Sequence, residues 1–232
     1  RDGARLCALF DEEIARLARA IEGGEDFEKA FLRSLERLGE VAVAGAAKPL
    51  VGIVGEIYVR SNPFANSAVI EAVERYGGEA WLAPLSEWFL YTAHLQRRRK
   101  VRDGLWHRAV AELKNGYMRG VENRMYRLAG PWMRDRREPD IEDIVGSGLK
   151  LLPLDFEGEA ILTVGRAVEF IKAGARLVVN CAPFGCMPGT ISSALLHQVQ
   201  SDTGVPVVSV VYDGEGDPNT ILKIYLGQML RG

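Results

Sequence analysis

The sequence predicts an α/β fold: a small Rossmann-like (flavodoxin-like) parallel sheet with an N-terminal helical arm and a helical insertion. The sheet is predicted because short aliphatic runs alternate with segments of helical periodicity from residue 50 to the last residue. Runs such as Leu177-Val178-Val179 and residues 207–211 are continuously or almost continuously apolar, which is typical of strands buried on both faces of a parallel sheet. The right-handed crossover rule then favours the connections of a Rossmann-like sheet.

Residues 1–48 are predicted to form the helical arm. Two helices are expected, separated by Gly23-Gly24, because apolar residues recur every three or four positions. These positions are Leu6, Phe10, Ile14, Leu17 and Ile21 in the first helix and Phe27, Phe31, Leu35 and Leu38 in the second. The chain begins within the first helical pattern, without an initiator methionine or a signal peptide, so we expect it to be a piece of a longer polypeptide.

Residues 49–232 are predicted to form the sheet domain. Its strands are expected at residues 50–54, 79–83, 176–180 and 205–212. Its helices are expected from Asn66 or Ser67 to Tyr76, and at residues 159–173, 190–201 and 218–230. A helical insertion, about residues 86–152, separates the second strand from the third.

The insertion is strongly basic and carries an apolar stripe. Between Arg97 and Arg137 there are 13 Lys and Arg residues against 4 Asp and Glu, a local excess of +9 in a chain of net charge −2. Apolar residues recur every fourth position at Val101, Leu105, Ala109, Leu113, Tyr117, Val121 and Met125. Nucleic-acid binding is one interpretation. The favoured alternative is a solvated helix face over an aromatic core of Trp106, Tyr117, Tyr126 and Trp132.

The composition excludes several classes of protein. With 29 basic and 31 acidic residues, the overall charge does not direct the molecule to nucleic acid or to an anionic membrane. No apolar run reaches the length of about 18 residues that a membrane-spanning helix needs. Three cysteines, an odd number, do not make a disulfide framework, so a reducing, cytoplasmic location is expected.

The most informative segment for function is residues 180–190, with the sequence NCAPFGCMPGT. It follows the third predicted strand and leads into a helix, which is where open α/β sheets bind their ligands. A helix N-terminus stabilises a thiolate, so Cys186 could be a nucleophile, a redox thiol or a metal ligand. The alternative is that Cys181 and Cys186 are small buried apolar residues, and we favour it for Cys181 because it directly follows the strand.

The metal-ligand pattern within the chain is incomplete. Four residues separate Cys181 from Cys186, whereas zinc knuckles typically have two. Two thiols do not complete a tetrahedral site or an iron–sulfur cubane, and Cys7 lies on a remote predicted helix. No histidine has a partner at ligand or triad spacing, whether His94, His107 or His197. A metal at the cysteine loop would therefore need ligands from outside this chain.

Two further motifs carry less information. Residues 213–217 (DGEGD) resemble the start of a calcium loop, but Pro218 replaces its required glycine and Ile224 its bidentate glutamate. Asp213 could support the cysteine loop, and a solvated turn is the favoured alternative. Residues 52–56 (GIVGE) do not match the dinucleotide fingerprint, and no Walker-type loop is present, so no nucleotide site is predicted.

Two segments resemble a known family. The first comprises residues 51–60 (VGIVGEIYVR), Asn62-Pro63-Phe64 and residues 84–88 (PLSEW). The second is residues 183–190 (PFGCMPGT) together with residues 212–214 (YDG). Both are similar to the C-terminal part of the large CoA-substrate-specific enzyme activase-related proteins, which are relatives of the 2-hydroxyacyl-CoA dehydratase and benzoyl-CoA reductase subunits.

The resemblance implies a [4Fe-4S] cluster between Rossmann-like domains, with cysteines from an upstream domain and Cys186 as the last iron ligand. Backbone N–H groups at Gly189 and Thr190 would donate hydrogen bonds to cluster sulfides. Pro183 and Pro188 would hold the loop rigid. The remaining candidates are a weaker metal ligand, Cys181, and three supporting residues, Gly55, Glu56 and Asp213.

The resemblance also implies partners. These are an ATP-hydrolysing activase that delivers a low-potential electron, an acyl-CoA, and the upstream domain of the same polypeptide or a partner subunit. The basic insertion is then a candidate surface for the phosphates of CoA or for an acidic partner. The upstream cysteines and the activase domain are absent from this sequence, so we expect no catalysis by it alone. The alternative is a non-catalytic Rossmann-like interaction domain that has lost the cluster.

Overall fold

The computed structural model describes residues 2–41, 47–99, 105–133, 136, 138–156 and 158–230. The strands are β1 (Leu50–Gly55), β2 (Glu79–Leu82), β3 (Leu177–Pro183) and β4 (Val207–Tyr212). The helices, in chain order, are α1 (Asp2–Glu22), α2 (Phe27–Glu40), α3 (Ile57–Ser61), α4 (Val69–Arg75), α5 (Ser86–Arg99), α6 (Leu105–Ala129), α7 (Ile141–Gly148), α8 (Glu159–Lys172), α9 (Met187–Thr203) and α10 (Leu222–Met229). Short 3-10 turns lie at Gly130–Trp132, Leu154–Phe156 and Pro218–Ile221.

The chain divides into two compact units. The first comprises Arg1–Ala47 and Leu113–Glu138, and the second comprises Lys48–Glu112 and Pro139–Gly232. The division after residue 47 lies next to the predicted end of the helical arm at residue 48. Residues 113–138 belong to the predicted insertion in sequence, yet in the structure they group with the arm and not with the sheet.

In the first unit, α1 and α2 form the predicted helical pair of the arm. A buried carboxylate joins them: Glu13 of α1 accepts a hydrogen bond of 2.6 Å from Ser34 Oγ and forms an ion pair with Arg37. A buried carboxylate is costly unless it is paired and hydrogen-bonded, so these two partners fix how α1 lies on α2.

The apolar stripes of α1 and α6 are largely exposed. Phe10, Ile14 and Ile21 of α1 are more than half exposed, and on α6 Leu113 is 76% exposed and Tyr117 73%. Trp106 is similarly exposed, whereas the polar Asn115 of α6 is buried, so the prediction that Trp106 and Tyr117 belong to an aromatic core beneath a solvated face is wrong. The reason is that helical periodicity identifies an apolar face but does not identify what covers it. None of the described helices, even the 25-residue α6, is long and apolar enough to cross a membrane.

In the second unit, the four strands form one parallel sheet in the order β2-β1-β3-β4, as expected for a small Rossmann-like α/β fold. Every residue of β1 is buried, and so are the first six of β3, because helices cover both faces of these central strands. One face packs on α4 and α10, through Val69, Val73, Leu222 and Leu226. The other face packs on α8 and α9, through Val164, Ala167, Phe170 and Leu196.

Strand β3 is longer than the sequence predicted, because its ladder with β4 continues until Pro183 pairs with Tyr212. Cys181 and Ala182 therefore lie within a strand. Helix α9 begins at Met187, three residues earlier than predicted, because Pro188 in its first turn needs no hydrogen-bond donor there. The segment that joins β3 to α9 is consequently only three residues long, from Phe184 to Cys186.

Helices α7 and α8 approach so closely that Gly165 of α8 has no room for a side chain. A Cβ atom at this position would overlap the carbonyl oxygen of Ile144 on α7. We expect Gly165→Ala to lower the free energy of unfolding by about 1–3 kcal/mol, the usual cost of overpacking a filled core, although alanine is the better helix former. Urea unfolding followed by circular dichroism measures the change.

The matched control is Gly146→Ala in α7, where open space surrounds the position that a Cβ would occupy. This substitution should leave stability unchanged or raise it by up to about 1 kcal/mol, because alanine has the higher helix propensity. Equal losses in the two variants would show that the spacing between α7 and α8 is not the cause.

Candidate functional site

The candidate site lies at the carboxyl edge of the sheet. In β1 and β3, Gly55 pairs with Cys181, and in β3 and β4, Pro183 pairs with Tyr212. Backbone bonds extend both ladders: Glu56 N donates to Cys181 O at 2.8 Å, and Phe184 N donates to Tyr212 O at 3.0 Å. The segments that carry Gly55, Cys186 and Asp213 therefore leave the sheet at the same edge, as the sequence predicted for parallel strands.

Cys186 is the N-cap residue of the 17-residue helix α9. Its Sγ accepts a hydrogen bond from Gly189 N at 3.4 Å, and its carbonyl oxygen accepts from Thr190 N at 2.9 Å. The two N–H groups that the resemblance assigned to cluster sulfides therefore both bind Cys186 here. The residue is half-buried, and its sulfur faces a helix N-terminus, which interacts favourably with negative charge.

At two positions of this site, neighbouring atoms leave no room for a side chain, so glycine is required. Gly189 allows α9 to approach β3, because a Cβ at that position would lie 2.7 Å from the Cβ of Ala182. Gly55 has a φ of +119°, and a Cβ there would overlap the carbonyl oxygen of Cys181. Pro183 ends β3 and Pro188 opens α9, so the two prolines bracket the segment that carries Cys186.

Cys181 lies on the opposite face of β3 from Ala182, within the core that packs on α4 and α10. Its Sγ is 3.7 Å from the hydroxyl oxygen of Tyr212, and burial raises the pKa of the Cys181 thiol to about 12. A thiol that holds its proton so strongly is a poor metal ligand or nucleophile. The favoured interpretation of Cys181 as a buried, inert residue agrees with this position.

Three buried charged residues close to this edge were not among the predicted site residues, although two of them, Arg60 and Glu87, lie in the segments that carry the family resemblance. Arg60 donates to Gly55 O at 3.0 Å and to Pro84 O at 3.2 Å, and it lies 3.8 Å from the carboxylate of Glu87. The same carboxylate is 3.1 Å from Arg166 Nε, and the Arg166 guanidinium stacks 4.2 Å from the ring centre of Phe170. The signal in the sequence was an arginine directly after the apolar run Ile57-Tyr58-Val59.

Glu56 caps the short helix α3 after β1. Its two carboxylate oxygens accept hydrogen bonds from Tyr58 N at 3.2 Å and from Val59 N at 2.7 Å. Burial, and then the neighbouring Glu56 carboxylate, raise the pKa of Glu159, while a hydrogen bond from the backbone of Ile57 and the charge of Arg60 oppose the rise. Glu56 therefore has a structural role here, and Glu159 is a second carboxylate that the sequence analysis did not single out.

The acidic residues after β4 form a turn. Asp213 Oδ1 accepts from Glu215 N at 2.9 Å, and Asp217 Oδ1 accepts from Asn219 N at 3.1 Å as Pro218 opens the following 3-10 turn. Residues 213–217 (DGEGD) therefore form a solvated turn, which is the alternative that the sequence favoured. Asp213 remains at the same edge as Cys186, but its carboxylate already caps its own loop.

Exposed apolar side chains occur in the segments that follow the strand ends at this edge. Phe64 is 95% exposed and Phe184 78%, although large apolar residues are usually buried. The segments after β1, β2 and β3 together contribute six such residues, which we call the apolar rim: Tyr58, Phe64, Leu85, Phe89, Phe184 and Met187. Several large apolar residues at one edge indicate a surface that binds a ligand or another protein.

Among the described residues, no group of three or more His, Cys, Asp and Glu side chains could hold a metal ion. A cubane usually has four cysteine ligands, so this chain fits a cluster only as the donor of one ligand, Cys186, with the others coming from elsewhere. In the basic insertion, Arg97 pairs with Glu112 at 3.3 Å. The side chains of Arg98 and Arg99, and the whole of Lys100, lie outside the part that the structure describes, as does the His107 side chain.

No protein-family model matches the chain, and no curated protein or solved structure matches it significantly.

The three cysteines should differ sharply in reactivity. We expect iodoacetamide at about pH 8–9 to alkylate the exposed Cys7 and the half-buried Cys186, and to leave Cys181 unmodified, because its thiol is inaccessible and almost fully protonated there. Peptide mapping by mass spectrometry measures the extent at each site. Unfolding in urea is the control and should equalise the three. Fast labelling of Cys181 in the folded chain would contradict its buried position.

The raised pKa of Glu159 should make stability depend on pH. The folded chain holds this proton more tightly than the unfolded chain, so the stabilisation is full below the unfolded-state pKa and is lost as pH rises through the folded-state pKa. Glu159→Gln removes the titration and keeps an acceptor for the Ile57 N–H. Between about pH 4 and pH 7, the free energy of unfolding should therefore fall by less in Glu159→Gln than in the parent. Urea unfolding at each pH measures both proteins. Parallel pH profiles in variant and parent would refute the assignment.

Proposed function

We propose that this chain is the C-terminal, cluster-binding part of an iron–sulfur protein related to the 2-hydroxyacyl-CoA dehydratases and the CoA enzyme activase-related proteins. The observation that carries the proposal is the position of Cys186. Its half-buried sulfur caps a helix at the carboxyl edge of a parallel sheet, the edge at which open α/β sheets bind their ligands.

In this role Cys186 supplies one thiolate to a [4Fe-4S] cluster, and the chemistry of that cluster, when bound, is the transfer of a low-potential electron towards an acyl-CoA thioester. Pro183 and Pro188 keep the three-residue segment short and stiff. Gly189 N keeps a hydrogen bond to the sulfur, and hydrogen bonds to ligand sulfur tune the potential of such centres. The Thr190 hydroxyl donates a hydrogen bond to the carbonyl oxygen of Cys186 and so orients this N-cap residue.

The remaining ligands come from a second protein surface, either the upstream domain of the same polypeptide or a partner subunit. The apolar rim, at the edge of the sheet that carries Cys186, supports this, because a partner that covers the edge would remove these side chains from water. An ATP-dependent activase and an acyl-CoA are the further partners, and the basic insertion is a candidate surface for either. The proposed location is the cytoplasm.

A second candidate function is a non-catalytic interaction domain with the same fold. The exposed apolar face of α6 favours it, because Leu113 and Tyr117 lie far from the candidate site in sequence and are exposed without any role in cluster binding. Iron content separates the two functions. The first requires a cluster on the assembled protein, whereas the second requires none.

Cys186→Ala should lose or destabilise the cluster in the polypeptide or complex that carries the other ligands, and the domain should remain folded. Cys181→Ala should have a much smaller effect on iron content, because that thiol packs in the core. Anaerobic reconstitution, iron and sulfide counting and the visible absorbance of the cluster measure the result. Full iron content in Cys186→Ala would overturn the assignment.

Two controls sharpen this experiment. Cys186→Ser keeps an oxygen that can cap α9, so it should be at least as stable as Cys186→Ala while still losing iron. The 232-residue chain alone should not hold a stable cubane, since a cubane usually takes four cysteines and the chain has three. Four irons bound per isolated chain would show that the ligand set is wrong.

A further inference from the structure

A strained turn follows β1 at the carboxyl edge of the sheet. Within the described residues, Ser67 and Ala68 are the non-glycine residues with positive φ, at 51° and 55°. The left-handed region is unfavourable for residues that carry a Cβ, and two successive residues there persist only where the surrounding structure holds them.

Two buried asparagines bind the backbone of this turn. Asn219, which is 0% exposed, donates from Nδ2 to the carbonyl oxygens of Asn66 at 2.8 Å and of Ser67 at 2.9 Å. Asn66 in turn donates to the carbonyl oxygen of Arg60 at 3.0 Å and accepts from Val69 N at 3.1 Å. The Asn219 amide therefore holds the carbonyl groups on both sides of the first strained residue, and the Asn66 side chain binds the backbone on either side of the turn.

The amide of Asn219 is itself oriented by a hydrogen-bond chain that ends at Cys181. Tyr212 donates from its hydroxyl to Asn219 Oδ1 at 2.8 Å. A phenol has a single proton to donate, so in the 3.7 Å contact with Cys181 the thiol is the donor and the hydroxyl the acceptor. These hydrogen bonds thus run in one direction, from the Cys181 thiol through the Tyr212 hydroxyl to the Asn219 amide. They keep the Nδ2 group of Asn219 pointing at the turn.

We propose that Asn219 is a positioning residue that clamps the loops after β1 and β4 to each other across the end of β3. In the sheet, β3 lies between those two strands, and the hydrogen bonds of Asn219 span it. We call the side chains of Cys181, Tyr212, Asn219 and Asn66 the asparagine clamp. The clamp maintains the strained conformation of Ser67 and Ala68. It goes beyond the proposed function because it acts whatever Cys186 binds.

The clamp has a consequence for the exposed edge. The turn completes a loop in which Asn62 Oδ1 accepts from Phe64 N at 3.0 Å, and Phe64 is 95% exposed. An aromatic side chain on a fixed backbone loses less entropy on binding than one on a mobile loop. The clamp therefore presents Phe64 at the apolar rim in a preorganised position.

A thermodynamic cycle tests the clamp. Ser67→Gly/Ala68→Gly relieves the strain while the turn stays in place, so it should raise the ratio of folded to unfolded chain about tenfold in the parent. In an Asn219→Ala background the turn relaxes without help, so the glycine pair should give no gain. Urea unfolding of the four proteins measures both effects. An equal gain in the two backgrounds would overturn the proposal.

Tyrosine variants make the test independent of whether Asn219→Ala folds. Tyr212→Phe removes the hydroxyl that orients the amide, so the gain from the glycine pair should shrink in that background. Tyr225→Phe is the matched control, since Tyr225 packs against the same core cluster and its hydroxyl is not part of the clamp. The glycine pair should keep its full gain there. An undiminished gain in Tyr212→Phe would show that the hydrogen-bond chain does not hold the turn.

Discussion

Strands β1 and β3 pair in parallel from Val51 with Leu177 to Gly55 with Cys181, and the rest of the second unit depends on this pairing. Both strands are buried on both faces, so helices must cover each side of the sheet, and the crossovers that bring them there return the chain to the same edge. The segments after β1 and β3 therefore emerge beside each other. The pairing of the two strands therefore determines where Cys186 lies relative to Glu56, independently of their side chains.

Polar side chains connect the strand ends at this edge. Arg60 and Arg166 share the buried carboxylate of Glu87, and removing one partner of such a buried pair usually costs about 3–5 kcal/mol. Arg60 also binds the carbonyl oxygens of Gly55 and Pro84, which end β1 and follow β2. Directional bonds of this kind fix loops in one arrangement, whereas apolar packing alone tolerates several. Directional bonds therefore tie the ends of β1 and β2 to each other at this edge.

The alternation of aliphatic runs with helical segments was enough to predict the four strands in chain order and their parallel sheet, because it is a local pattern that repeats along the chain. The short helix α3 and the order of the strands within the sheet were not predicted. The end of β3 was misplaced because its ladder continues to Tyr212, about thirty residues away, and the start of α9 because Pro188 fits the first turn of a helix. The same limit applies to the site. The position of Cys186 at a helix start is local and was predictable. The partners of Asn219 in the turn, Asn66 and Ser67, are about 150 residues away in the chain and left no periodic signal.

Helix α6 has a consequence for how the stability of this chain should be understood. A fully buried Leu or Val contributes about 1.5–3 kcal/mol relative to an exposed one, and Leu113, Tyr117 and Val121 remain in water. That free energy is available to whatever surface covers them, and by mass action such a surface would stabilise the folded state. The free energy of unfolding measured on the isolated chain is thus a lower bound on its value in any assembly that buries this face. The melting temperature in that assembly would then vary with protein concentration.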